Sequence, residues 1–297
     1  MEPSSPLPAA KKLGRILRSS GSHWVGDGFP VQTLFAYPDM GAALSPFLML
    51  DYAGPAEFPP THERLGVGEH PHRGFETVTI VYDGEVEHRD SSGGGGRIGP
   101  GDVQWMTAAS GVVHEEFHGR DFAQRGGRFE MIQLWVNLPA KDKMSPPRYQ
   151  GIASSEIPQV AVPDGQGSVR VIAGEYAGVK GPARTFTPIQ LWDLRLSGVQ
   201  PIEFALPEGY TVALLVLKGE LQVSGSVIPL RAAEIGVFER ACTLLRIERA
   251  DGVTALLLCG EPIDEPIVGS GPFVMNTSAE IRQAMSDYQS GKMGHLS

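Results

Sequence analysis

Cysteine is nearly missing from this 297-residue chain: Cys242 and Cys259 are the only two, and both sit in apolar runs, ACTLLRI and ALLLCGE. That excludes a disulfide-stapled scaffold and a cysteine-ligated structural zinc site, and it makes buried, reduced thiols of a cytoplasmic protein the expectation. Basic charge is also short, with 25 Lys+Arg against 34 Asp+Glu and a formal net charge of −9. A surface that grips phosphates concentrates positive charge, so direct nucleic-acid binding is not expected. No apolar run approaches the roughly 20 residues of a membrane-spanning helix. None follows Lys11, Lys12, Arg15 and Arg18 as a secretory signal would require. Histidine, finally, is lacking from 119 to 294, whereas six of the eight histidines fall between 62 and 118. The second half of the chain therefore has no imidazoles from which to build a metal site.

Glycine (37) and proline (24) are plentiful and punctuate short apolar segments throughout. FETVTIVY (75–82), FEMIQLWVNL (129–138), SVRVIAG (168–174), TVALLVL (211–217) and VTALLLC (253–259) are rich in Val, Ile, Thr, Leu and aromatics. Recurrent strands of this length between Gly/Pro turns indicate an all-β sandwich or barrel. The length suits two domains, and the charged, proline-bearing stretch PAKDKMSPP (139–147) marks a seam between them. The expected division is 1–140 and 141–297. The halves are also alike: Thr77-Val78 leads to Gly84-Glu85-Val86 as Thr211-Val212 leads to Gly219-Glu220-Leu221. A duplicated β-barrel unit accounts for this. At the C-terminus, Thr277 and Glu280 form a capping box, and Ile281, Ala284, Met285 and Tyr288 recur at helical spacing before Gly291. These features predict a short structural helix over about 277–290.

Two patterns carry chemistry. The first is His70-Pro71-His72 with Glu76 following; alternate residues of a strand share a face, so His70, His72 and Glu76 have matching parity. The second is Val113-His114-Glu115-Glu116-Phe117-His118, in which His114, Glu116 and His118 share parity. If the two segments neighbour each other in a barrel, imidazoles from one meet an imidazole and a carboxylate from the other. Three nitrogens and a hard oxygen suit Fe(II), Mn, Ni, Cu or Zn rather than Ca or Mg.

HPHRGFETVTIVYDGEVEHRDS (70–91) and GPGDVQWMTAASGVVHEE (99–116) resemble the pirin family of bicupins, as do QLWVNLPAKDKM (133–144) and GEPIDEPIVGSGPFVMNT (260–277). The resemblance implies two tandem cupin, jelly-roll-like β-barrels, with a non-haem iron in the first and no metal in the second. It implies His70, His72, His114 and Glu116 as the ligands. The wider cupin superfamily usually takes its carboxylate from the first motif, which would be Glu76; in the pirin form Glu76 becomes a pocket residue that orients an imidazole. Between Glu116 and Glu76 the carboxylate ligand stays open at this level.

The remaining histidines have plainer readings. His88 is either behind the site or on a strand surface, His118 has pocket parity but is not a pirin ligand, and His62, His23 and His295 are expected in solvent. The run Gly93–Gly96 lacks the Lys-Ser/Thr of a phosphate loop and reads as a hairpin tip.

The resemblance also implies function. Pirins are similar to flavonol dioxygenases, and quercetin 2,3-dioxygenase activity is attributed to members. The leading expectation is thus a dioxygenase that opens a flavonol heterocycle with O2 and releases CO. Glu116 or Glu76 would serve as base toward the 3-hydroxyl. The competing expectation is a regulatory protein whose metal or redox state is read by a protein partner. The family implies a monomer.

Overall fold

The computed structural model describes residues 9–296. Strand β1 (Leu13–Arg18) is followed by β2 (His23–Val25), β3 (Phe29–Ala36), helix α1 (Tyr37–Leu44) and β4 (Phe47–Phe58). Next come β5 (Gly66–His72), β6 (Phe75–Asp83), β7 (Val86–Asp90), β8 (Gly95–Ile98), β9 (Val103–Thr107) and β10 (Val112–His118). After helix α2 (Arg120–Arg125), β11 (Gly127–Asn137) and β12 (Arg148–Ile152) complete this run. A second run holds β13 (Gln159–Ala161), β14 (Gly167–Ala173), β15 (Glu175–Tyr176), β16 (Val179–Lys180), β17 (Ile189–Gly198) and β18 (Ile202–Ala205). It continues with β19 (Thr211–Val223), β20 (Leu230–Arg231), β21 (Glu234–Phe238) and β22 (Leu244–Gly260). The chain closes with β23 (Val268–Ser270), β24 (Phe273–Met275) and α3 (Ser278–Gln289).

The elements sort into two compact units. Among the described residues, one comprises 19–157, 182–188 and 263–296; the other comprises 9–18, 158–181 and 189–262. In the first, a seven-stranded sheet runs β12-β9-β6-β11-β4-β3-β2 and a four-stranded sheet runs β5-β10-β7-β8. Strand β6 lies inside the larger sheet, and its residues Phe75–Val81 are all buried. A strand covered on both faces favours the continuous β-branched and apolar run seen in FETVTIV. In the other unit, one sheet ordered β1-β21-β19-β22-β17-β14-β13 encloses an apolar core that includes Trp192, Phe204, Leu214, Leu245 and Leu257.

A single cut at 140/141 does not describe these units. β1 pairs antiparallel with β21, from Leu13 opposite Phe238 to Arg18 opposite Glu234, and covers what would otherwise be an open sheet edge. The C-terminal segment belongs instead with the first run. Lys143 Nζ donates to the carbonyls of Gly74 (2.7 Å) and Val274 (3.0 Å) and to Asn137 Oδ1 (2.6 Å). The residues that read as a linker in sequence thus hold a buried lysine that ties three segments of one unit together.

Helix α3 starts at the expected cap: Thr277 Oγ1 accepts from the Glu280 N–H at 3.2 Å. Its inward face is more polar than its spacing suggests. Ile281, Ala284 and Asp287 are buried, while Met285 and Tyr288 are exposed. Asp287 takes the inward position because Arg73, itself buried, donates to it at 2.9 Å.

Candidate metal centre

The β5–β10 ladder brings the histidines together. These strands are antiparallel, with His70 directly opposite His114 and His72 opposite Val112. Direct partners project to the same side of a sheet, as do residues two apart. All three imidazoles therefore emerge on one face. Their ring centroids stand 4.2 Å (His70–His114), 4.8 Å (His72–His114) and 4.9 Å (His70–His72) apart. One nitrogen from each lies within 4.8 Å of the other two.

The rings are held from behind. His70 Nδ1 lies 2.8 Å from the Gly68 carbonyl, and His72 Nδ1 lies 3.3 Å from that of Pro272. A carbonyl only accepts, so each Nδ1 must carry its proton and each Nε2 keeps a lone pair. His114 Nε2 is buried and has no hydrogen-bond partner. A buried polar atom of this kind costs free energy unless something meets it. Burial, with the neighbouring His70, pushes the His72 and His114 imidazoles well below their ordinary range. They are neutral at physiological pH, the form that binds a metal. The donor set and the partnerless Nε2 fit a borderline divalent transition ion.

Glu116 is buried on the same face of β10, two residues beyond His114, and the ladder slips between them. Its carboxylate groups with His88 and His114, within 4.8 Å, so His114 belongs to both clusters. Gln104 Nε2 donates to Glu116 Oε1 at 3.3 Å and approaches His88 Nδ1 at 3.1 Å. Behind them, His88 Nε2 meets Asp90 Oδ2 at 3.2 Å, and Tyr149 stacks on the His88 ring. Burial works against the Asp90 charge. Even so, hydrogen bonds from His88, Ser92 and the Gly94 N–H hold its carboxyl below the usual range. His88 and Asp90 thus stand in the buried layer behind the imidazoles. For Asp90 the sequence offered one faint signal, its place two residues after His88 at the mouth of a glycine-rich hairpin.

Glu76 is elsewhere. The matching parity with His72 is broken at Gly74, whose φ of +91° suits glycine and whose backbone packs so closely that a Cβ would sit 2.0 Å from the Val274 carbonyl. The chain leaves the four-stranded sheet there and enters the seven-stranded one. On β6 it is Thr79 that reaches Gln133, a wall residue of the cavity, and Glu76 has the opposite parity. Its carboxylate accepts from Thr107 Oγ1 at 2.6 Å, lies 3.7 Å from Arg148, and does not line the cavity. Burial pushes it up to about 7.

A cavity of about 350 Å³ opens in front of the imidazoles. His70, His72 and Glu116 stand on the wall made by the four-stranded sheet, while Met49, Met131 and Trp135 form an apolar surface on the seven-stranded one. That second wall also carries Asp51, Thr33 and Gln133. Asp51 is buried, takes a hydrogen bond from Thr33 Oγ1 at 2.5 Å, and is pushed up by burial.

His118, despite its parity, turns to the Gly28 carbonyl (2.8 Å) among Phe29, Phe58, Phe122 and Phe129, so it packs rather than binds. His62 is exposed; His23 is exposed too but lines the cavity. Gly93 and Gly94 close the β7–β8 hairpin, where the Asp90 N–H donates to the Gly94 carbonyl at 2.9 Å.

Two barrels in one chain, the first with a histidine cluster on an inner face, define a bicupin. The chain belongs to the pirin family. Residues 28–136 match the Pirin family and residues 191–294 match the Pirin C-terminal cupin domain. A Pseudomonas aeruginosa protein named "Putative quercetin 2,3-dioxygenase PA2418" is 54% identical over 282 residues, 95% of this chain and 98% of its own. A pirin-like protein of Solanum lycopersicum is 39% identical, over 91% of this chain and 88% of its own. The crystal structure of a quercetin 2,3-dioxygenase from Acinetobacter baumannii superposes with a TM-score of 0.93 at 50% identity, covering 97% of this chain and 100% of that one.

Proposed function

We propose that this pirin is a mononuclear metal dioxygenase of the quercetin 2,3-dioxygenase type, with His70, His72, His114 and Glu116 as ligands of an Fe(II) ion. The observation that carries the reading is the partnerless, buried Nε2 of His114, clustered with two imidazoles whose Nδ1 protons are already committed. Cu, Mn, Ni and Zn suit the same donors, and loading follows availability. When bound, the ion supplies a Lewis-acidic centre with positions open to dioxygen and to a substrate oxygen. Among its described residues, 9–18, 158–181 and 189–262, the second unit contains no histidine, which supports a metal-free role for it.

The residues of the cavity divide the remaining work. A flat, flavonol-sized aromatic molecule lies between the two sheets, with Trp135, Met49 and Met131 excluding water from one side. Glu116 lines the cavity and accepts the proton of the flavonol 3-hydroxyl. Gln104 donates to the Glu116 carboxylate and so fixes the direction from which that proton arrives. Across the cavity, Asp51 accepts from a ring hydroxyl at the other end of the substrate and sets its orientation. The ring then opens with O2 and CO leaves.

Cys242 and Cys259 are both free thiols, which supports a reducing compartment such as the cytoplasm. No helix among the described residues is long and apolar enough to cross a membrane.

The test is direct. Protein loaded with Fe(II), Cu, Mn or Ni is mixed with quercetin in air while flavonol absorbance and CO are followed. Stoichiometric loss of absorbance with CO release is the expected result. No turnover with any of the four metals would overturn the enzymatic reading.

A further inference from the structure

Behind His114 the hydrogen bonds run outward in one order. Asp90 Oδ1 is committed to three donors, the Ser92 N–H (2.8 Å), the Ser92 hydroxyl (2.6 Å) and the Gly94 N–H (3.0 Å). Its other oxygen, Oδ2, faces His88 Nε2 at 3.2 Å. A carboxylate only accepts, so the His88 proton sits on Nε2 and its Nδ1 keeps a lone pair. Two groups face that lone pair: Gln104 Nε2 at 3.1 Å and His114 Nδ1 at 3.2 Å. The Gln104 amide has its own orientation fixed, because its Oε1 accepts from the Tyr149 hydroxyl at 3.3 Å. A bare His114 Nδ1 would set two lone pairs facing each other at 3.2 Å, so the contact favours the His114 proton on Nδ1, sharing the His88 lone pair with Gln104. The one proton of His114 is used up there, and the lone pair is left on the buried Nε2 that finds no protein partner.

The ladder explains why this chain of contacts exists. On the β7–β10 pairing, Asp90 lies opposite His114 and His88 opposite Glu116, so all four project from one face. The backbone at Gly94 approaches closely enough that a Cβ there would lie 2.5 Å from Asp90 Oδ2, and only glycine leaves the carboxylate its place.

We propose that Asp90 and His88 are positioning residues which fix the tautomer of His114, presenting its Nε2 as a ready lone pair to a divalent metal. The proposal rests on the metal-centre reading above and adds a cause for it. Outer partners of a metal-bound histidine set ring orientation and basicity, and their loss typically weakens metal binding about 10- to 100-fold.

The experiment uses the full-length protein, Co(II) as the probe, and a competing chelator to read affinity, with the visible Co(II) spectrum as a second readout. His88→Leu removes the acceptor; His88→Asn places an amide oxygen near the Nδ1 position and restores it. The expected result is about a 10- to 100-fold loss of Co(II) affinity and a shifted spectrum for His88→Leu. His88→Asn should remain near wild type. Asp90→Asn should behave like His88→Leu, because its amide can offer a donor to His88 Nε2. Ser92→Ala, which trims a hydrogen bond at Oδ1 without touching His88, should leave affinity unchanged. Melting of the metal-free variants reports their folding. If His88→Leu does not fold, the contrast of Asp90→Asn with Ser92→Ala decides. Wild-type affinity in His88→Leu or Asp90→Asn would overturn the relay while leaving the metal centre standing. So would equal losses in His88→Leu and His88→Asn. Failure of the wild type to bind Co(II) would overturn the metal centre itself and the relay with it.

Discussion

His70 and His114 are direct cross-strand partners on the β5–β10 ladder, their rings 4.2 Å apart. Register does most of the work in this site. One residue of slip would send every side chain of β5 to the opposite face and scatter the cluster. His70→Ala and His114→Ala should therefore each remove tight metal binding while preserving the β-sheet signature. Metal analysis after gel filtration, read beside circular dichroism, checks this; full metal occupancy in either variant would count against the ligand set.

The two candidate bases separate cleanly in the structure. Glu116→Gln should lower flavonol turnover by about 10²- to 10⁴-fold, the usual worth of a positioned base. Glu76→Gln should leave turnover largely intact, because Glu76 does not line the cavity. Steady-state rates on both variants, at equal metal content, distinguish them.

Glu76 should reveal itself in stability instead. Its folded pKa, pushed up to about 7 by burial, exceeds the ordinary carboxylate value, so the folded state binds the proton more tightly than the unfolded one. Stability from this group is complete below about 4.3 and is lost as pH rises through 7. Glu76→Gln should thus stabilise the protein at pH 8 relative to wild type and change little at pH 5. Denaturant melts at the two pH values check the sign.

Asp287 should act in the opposite direction. Hydrogen bonds from Lys292, Arg73 and Gln283 hold its carboxyl below the usual range. Its contribution is present above about pH 4 and disappears as pH falls further. Asp287→Asn should lower the melting temperature at pH 7 and flatten the acid limb of the melting curve. Because Arg73 follows His72 directly, metal affinity should fall as well.

Asp51 tests the orientation of the substrate. Asp51→Leu should raise KM for quercetin about 10-fold, or ~1.4 kcal/mol, by removing a hydrogen bond to a buried carboxyl oxygen. A flavonol without ring hydroxyls should show no such change. Equal effects on both substrates would place the ring hydroxyls elsewhere.

Much of this was legible in the sequence, for reasons that are local. His-Pro-His and His-Glu-Glu-Phe-His are strand-spaced, so the shared face of His70 and His72, and that of His114 and Glu116, follow from a period of two. The capping box at Thr277 and Glu280 is equally local. What stayed hidden depends on distant partners or on one backbone angle. The pairing of β1 with β21 joins residues more than 200 positions apart, and no periodicity announces it. Glu76 kept the right parity on paper, but the positive φ at Gly74 sends its side chain to the other face. Asp90 stands at the mouth of a glycine-rich hairpin, and only the ladder, which sets it opposite His114, shows where it points.

Anomalous diffraction from crystals of the iron-loaded protein tests the central claim most directly. The account predicts one ion per chain, bound by the Nε2 atoms of His70, His72 and His114, with nothing in the second barrel. An ion bound elsewhere, or loaded crystals whose three imidazoles touch no metal, would contradict it.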